Sequence, residues 1–379
     1  MSVWDDVVGQ EHVIDTLRAA VAEPRSMTHA WLFTGPPGSG RSNAARAFAA
    51  ALQCENPDER GCGRCQACTT TLAGTHADVT VVATEQVTIK IDEVRDLIGR
   101  AVRKPSTGRW QVIVVEDADR MLERTTNVLL KSIEEPPPQT VWLLCAPSSQ
   151  DVLPTIRSRC RGVVLRVPPV ESVAALLVSR DGAEPEVALE AARAAQSHIG
   201  LARRLARDAG ARERRDEVLK IPAEVASVGE AVIAAGRLVE VAQAEARSAT
   251  EERDAEEKGA LLRALGAEAG ETVPPRLRSQ VTELEKDQKR RATRYQRDVL
   301  DRAMLDLLSL YRDVLVTQLG AEVELVNTAH GATVRMLAGR STSVRTIEQM
   351  NAISTARERL GTNVSPLLAT EAMLVELRP

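Results

Sequence analysis

WLFTGPPGSGRS (Trp31–Ser42) holds the end of a strand, a glycine-rich turn and the start of a helix within twelve residues. Ala30 to Phe33 is a short apolar run suited to a buried strand, and Asn43 to Gln53 is alanine-rich and suited to a helix. Between them the chain follows the pattern G-x-x-x-x-G-K-[ST], in which glycines let backbone N–H groups curl around phosphate and the hydroxyl holds Mg²⁺. Gly35, Gly40 and Ser42 fit, and Pro36, Gly38, Ser39 and Asn43 complete the expected contact set for ATP or ADP with Mg²⁺. Arg41 stands where the pattern requires lysine. A planar guanidinium keeps the charge but is larger than the ammonium for which such a loop is shaped. The expectation is a site that holds nucleotide and hydrolyses it poorly; the blander reading, a simple turn, conflicts with the strand–loop–helix setting.

Val79 to Val82, Val112 to Val115 and Val141 to Cys145 are further β-branched or apolar runs, each followed by a turn or a helical pattern. Alternation of this kind predicts an α/β fold with a mostly parallel sheet covered on both faces. The second run ends in VIVVEDADRM, which puts Glu116 and Asp117 at a strand's carboxyl end, where a Mg²⁺-holding carboxylate belongs. The usual order is aspartate then glutamate; here each side chain has the other's length. Placement errors of roughly 1 Å can lower a rate by on the order of a hundredfold. An acidic loop without metal is the competing reading. A helix over Thr126 to Glu135 is expected to stop at Pro136, Pro137 and Pro138, and VVLRVPPV supplies a last strand and a boundary near Val167.

Cys54, Cys62, Cys65 and Cys68 cluster in CENPDERGCGRCQAC, leaving Cys145 and Cys160 as singles. Overlapping C-x-x-C steps offer four thiolates to one tetrahedral Zn²⁺, and four protein ligands leave no open position, so the expected site is structural. A redox C-x-x-C or free thiols are the alternatives. His76 lies eight residues further on, beyond a set that already saturates the metal.

The chain has 379 residues, 44% hydrophobic and 27% charged, with formal charge −4, which describes a soluble globular protein of two or three domains without a global polycation. The lack of a membrane-length apolar run and of a signal-like N-terminus leads to a cytoplasmic expectation with no membrane partner. All four Trp and both Phe fall within the first 142 residues, pointing to an α/β front and an all-helical back. Val170 to Ala211 reads as a small helical unit, and from Asp216 long amphipathic helices follow, with a break expected at Gly266 to Pro275. Lys286, Arg290, Arg294 and Arg297 would share a helical face, either a solvated one or a track for a DNA backbone.

These motifs together resemble bacterial clamp-loader subunits of the AAA+ family, which belong to the DNA polymerase III holoenzyme. The resemblance runs through WDDVVGQEHVIDTL, HAWLFTGPPGSGRS, the four cysteines, THADV, VTIKIDEVRDL, VVEDADRM, NVLLKSIEEPP and IRSRC, over roughly residues 5 to 170. Beyond that only SHIGLARRLA and the last helices look similar, and the charged stretch near 245–300 reads as an insertion. The resemblance implies a RecA-like AAA+ domain (1–168, with the zinc module at 54–68), a small helical lid (169–213) and an all-α collar (214–379). It implies a ring with tau/gamma and delta subunits that places the sliding clamp on primer-template DNA. Val7 and Val8 would lie near the adenine, and Arg203, or Arg204 beside it, would reach nucleotide from the lid. Arg159 of SRC would act in trans on ATP bound by a neighbour. The strand-end position that is polar in active members falls at Ala146 or Pro147. With Arg41 and the exchanged carboxylates, this favours the delta-prime branch, a stator, over the tau/gamma motor. A self-sufficient ATPase and a zinc-centred adaptor for nucleic acid or protein are the alternatives.

Overall fold

Local sequence accounts for most elements of the computed structural model, which describes residues 2–83, 88–264, 278–362 and 364–378. In chain order these are α1 (Glu11–Ala22), β1 (Ala30–Thr34), α2 (Arg41–Gln53), α3 (Gln66–Leu72), β2 (Val79–Val82), α4 (Ile91–Ala101), β3 (Gln111–Val115), α5 (Glu123–Glu134), β4 (Thr140–Ala146), α6 (Pro154–Arg157) and β5 (Arg161–Val164). There follow α7 (Val170–Asp181), α8 (Pro185–Ala194), α9 (Ile199–Arg207), α10 (Ala209–Glu224), α11 (Val228–Ala264), α12 (Arg278–Leu319), α13 (Gly331–Arg340), α14 (Ser343–Leu360) and α15 (Pro366–Glu376). Helix α5 starts three residues before its expected beginning at Thr126 and ends ahead of the prolines. The expected break at Gly266 to Pro275 lies outside the described residues.

The five strands form one parallel sheet in the order β2-β3-β4-β1-β5. This is the α/β architecture with a parallel sheet expected from the sequence. Side chains of β1 alternate between two cores: Trp31 and Phe33 join Phe48 and Leu17 on one face, Ala30 and Leu32 join Ile113 and Leu129 on the other. Trp31 meets Phe48 edge-on with ring centroids 5.1 Å apart. Because β1 lies between β4 and β5 while its chain neighbour β2 is at the far edge, the crevice at its carboxyl end is where such sheets bind ligands. The register Thr34↔Ala146 and Val115↔Leu144 brings the phosphate loop, Glu116 and Pro147 to that same edge.

The chain divides into two compact units, Met1–Asp208 and Ala209–Pro379. Helices α7 to α9 belong to the first, and α10 runs through the boundary expected near residue 213. In the second unit Leu300, Met304 and Leu307 of α12 pack with Ala231, Ala235 and Ala242 of α11 and Leu374 of α15. Beyond this core α11 and α12 lie antiparallel, joined by Lys258–Glu285 (2.7 Å), Arg291–Asp254 (2.6 Å) and Arg302–Glu245 (3.4 Å). Along these two helices opposite charges thus face each other. Lys286 and Arg290, both exposed, pair with Glu283 and Asp287 on their own helix. Among the described residues no helix is long and apolar enough to cross a membrane.

Candidate functional site

The glycine turn after β1 has left-handed backbone at Gly38 (φ +83°) and Gly40 (φ +90°), which lets α2 begin directly behind it at Arg41. Gly35 donates its N–H to Pro147 O (3.1 Å) and Ser39 to Pro36 O (3.1 Å). Among the described residues the N–H groups of Gly38 and Gly40 meet no acceptor, and the Ser39 hydroxyl is buried without a partner. Such free donors at a helix N-terminus suit an anion. The residues therefore fit a phosphate group.

The charged side chains around the loop have other partners. Arg41 Nη1 donates to Gly35 O inside the loop itself. Glu116 is ion-paired with Arg46 Nε at 2.7 Å, and Asp117 sits 3.7 Å from Arg120. Burial, then the neighbouring Asp117 charge, raises the pKa of Asp119. Ala146 is fully buried at the end of β4, as the sequence indicated, and offers no polar side chain. Ser42 and Asn43 occupy the first turn of α2.

Helix α9 closes over the loop. A Cβ on Gly38 would come within 2.4 Å of His198 Cγ, and one on Gly40 within 3.6 Å of Ile199 Cδ1. His198 caps α9, its Nδ1 accepting from Leu201 N (3.2 Å), and burial followed by the Arg41 charge lowers its pKa. Arg203 bonds Asp181 (2.8 Å), which also holds Arg180 (3.1 Å). Val7 is buried in the core beside α2, with Val8 half-buried after it, and Gln10 clamps the β5 exit by exchanging two hydrogen bonds with the Arg166 backbone (2.6 and 3.1 Å). Arg46, Asp181 and His198 are contacts that sequence reading missed. Only Arg46, one helical turn after Ser42, carried a positional signal.

Arg159 follows α6 and lies 38% exposed, with Nη2 2.5 Å from Glu134 of α5 and Nη1 donating to Thr155 O (2.7 Å). SRC and NVLLKSIEEPP, distant in sequence, meet through this pair. In so exposed a setting it is worth about 0–1 kcal/mol, so the guanidinium is easily redirected.

The four cysteines converge. Cys54 ends α2, Cys62 follows Gly61 (φ +89°) in a turn, and Cys65 caps α3, accepting from Cys68 N. A Cβ on Gly61 would meet Val3 Cγ2 at 2.7 Å, so glycine lets this knuckle pack on the N-terminal segment. Their sulfurs all lie within 4.8 Å of one another, with Cys54–Cys62 at 3.7 Å and Cys54–Cys65 at 3.9 Å. A tetrahedral ion with bonds of about 2.3 Å requires sulfurs about 3.8 Å apart, so the set fits a metal of the zinc class. Burial pushes the Cys62 thiol up, but N–H donors from Arg64 and Cys65 outweigh it and bring the pKa down to about 7. His76 stands apart, its Nδ1 accepting from Asp78 N (3.1 Å).

Comparison with known proteins follows the same outline. Residues 9–169 match the family model described as DNA polymerase III, delta subunit. DNA polymerase III subunit delta' of Pseudomonas aeruginosa is 37% identical over 195 residues, 51% of this chain and 60% of that protein. Subunit gamma/tau of Mycobacterium bovis is 35% identical over 174 residues, 45% of this chain and 30% of that protein. A gamma subunit-related protein of Thermotoga maritima aligns with 92% of this chain and 99% of its own at 16% identity, with a TM-score of 0.40. The chain thus aligns with less than two thirds of the length of these curated relatives. Through its α/β core, residues 9–169, the chain is similar to clamp-loader subunits of DNA polymerase III.

Proposed function

We propose that this chain is a delta-prime-type stator of a bacterial clamp loader, acting in the cytoplasm with tau/gamma and delta subunits to load a sliding clamp onto primer-template DNA. The observation that carries the reading is the contrast in commitment of its charged groups. Arg41 and Glu116 are bonded to protein partners at the chain's own phosphate loop, whereas Arg159 lies at the surface, held by a partly exposed ion pair to Glu134 and hydrogen bonds to Thr155 O and Ser158 Oγ. A guanidinium free to turn outward can meet the γ-phosphate of ATP in an adjacent subunit and stabilise charge that develops only during transfer. The chain's own loop would hold phosphate through the Gly38 and Gly40 N–H groups and Ser39, with Mg²⁺ reaching Glu116 only after Arg46 moves. Segment 169–213 acts as lid and 214–379 as collar. The four cysteines hold Zn²⁺ as a structural pin for the knuckle between α2 and α3.

The test is reconstitution of the complete loader with Arg159→Ala in this chain. ATP turnover at the site facing this subunit is expected to fall on the order of a thousandfold, with unchanged melting of the subunit. Unchanged turnover and clamp loading would return Arg159 to a local role with Glu134 and favour the adaptor reading.

A further inference from the structure

A groove on the first unit, at the end of the sheet opposite the phosphate loop, has no part in the reading above. Its two halves are clefts of about 500 and 570 Å³ that share Val21, Ala22 and Arg109. One half is apolar, walled by Met27, Leu52, Trp110 and the Pro136–Pro138 run. The other lies against the cysteine knuckle and is lined by Arg18, Arg60 and Trp4.

The cationic half gathers three arginines, Arg18, Arg60 and Arg109, beside Asp58 and Glu59. Among the described residues Arg18, Arg60 and Arg109 have no carboxylate partner; Arg18 lies 5.8 Å over the Trp4 ring and Arg60 donates to Cys54 O. Arg60 and Arg109 line the same cleft, so two like charges share it. Like charges converge at a cost, which an anion between them removes.

The backbone that presents Arg109 is fixed from below. Asp78, 3% exposed, accepts from the N–H groups of Ser106 (2.7 Å), Thr107 (2.8 Å) and Gly108 (2.6 Å) and from both hydroxyls. Gln53, 1% exposed, accepts from Arg109 N and Trp110 N and donates to Trp110 O (2.9, 3.2 and 2.5 Å). A Cβ on Gly108 would lie 2.5 Å from Gln53 Oε1, so a side chain there would displace the Gln53 amide. Two buried polar side chains thus hold rigid a loop whose tip is an exposed arginine without an acid. Rigid placement of an exposed group lowers the entropy lost on binding.

We infer that this groove binds an extended acidic peptide segment, its carboxylates on Arg109, Arg60 and Arg18 and an apolar side chain between Trp110 and the Pro136–Pro138 run. Asp58 and Glu59 also line the cationic half, which disfavours a continuous polyphosphate and tolerates a few separated carboxylates. A peptide is therefore preferred to a nucleic-acid strand.

The test uses the full-length chain and fluorescein-labelled peptides EDLWLDE and KKLWLKK, with dT20 as the nucleic-acid probe, read by anisotropy. EDLWLDE should bind with micromolar affinity, weakened at least about tenfold by Arg109→Glu and less by Arg18→Glu, with melting unchanged. KKLWLKK should bind at least about tenfold more weakly than EDLWLDE. Equal binding of the two peptides, or EDLWLDE binding untouched by Arg109→Glu, overturns the assignment. So does dT20 binding that exceeds the peptide's and disappears in Arg109→Glu, which gives the groove to nucleic acid. Loss of bound zinc from Arg109→Glu with peptide affinity intact overturns it too, assigning the arginines to the charge of the thiolates.

Discussion

The cysteine knuckle and the phosphate loop lie at opposite ends of α2, and they are built on different terms. In the knuckle, four sulfurs from separate turns already stand at the spacing one ion requires. In the loop, the backbone has the shape for phosphate while Arg41 and Glu116 are turned onto protein. A fold can keep a site's outline while its catalytic charges take up structural partners. In the knuckle, outline and donor chemistry stay together.

The largest expected effect falls on the knuckle. Cys62→Ser with Cys65→Ser should take bound zinc from one per chain to none and destabilise the first unit by several kcal/mol, read by metal analysis and thermal melting. Zinc retained at one per chain would break the comparison at its firmer end. Next comes Asp78→Asn, expected to cost about 2–3 kcal/mol, because a buried acceptor of several N–H donors is replaced by a weaker one that also brings donors.

The same residue sets a pH dependence. Burial alone would raise the Asp78 pKa, but the donors from residues 106–108 outweigh it and hold the carboxyl well below the usual range. A depressed folded-state pKa gives stability that is fully present above the unfolded value, about 4, and is lost as pH falls toward the folded one. Urea midpoints between pH 5 and 2.5 should therefore fall less for Asp78→Asn than for the parent chain.

Arg46→Ala sharpens the comparison from the other side. It removes a half-exposed pair worth at most about 1 kcal/mol and frees Glu116, so MgADP affinity should rise about three- to tenfold in calorimetric titration. The smallest effect is on the stability of Arg159→Ala, expected within about 1 kcal/mol of the parent in denaturant melts. A larger loss would mean that Arg159 is bound into its own fold and not available to a neighbour.

What the sequence made legible was whatever depends on short spacing. The strand–glycine–helix run, the first four strands and the cysteine steps each announce a local geometry and appear within a residue or two of where they are read, while the last strand, read in VVLRVPPV, runs instead over Arg161–Val164. Pairings across the fold were not legible. Nothing near Arg159 names Glu134, and nothing near Glu116 names Arg46, because a salt bridge follows from register and crossing angle rather than from spacing. Asp78 could be seen within THADV, but its role exists only once residues 106–108 fold back over it. His198 likewise gains its place over Gly38 only when α9 packs against the loop. In the second unit, helical periodicity was readable, while the pairing of α11 with α12 through Arg291 and Asp254 was not.

The most direct test of the central claim, that the phosphate loop retains shape without catalysis, is steady-state ATP hydrolysis by the isolated chain beside its Arg41→Lys variant. Turnover at background is predicted for the parent, and still far below a motor subunit's for Arg41→Lys, since Glu116 stays paired and Ala146 stays apolar. Hydrolysis by the parent chain at a rate comparable to a tau/gamma subunit would contradict the account.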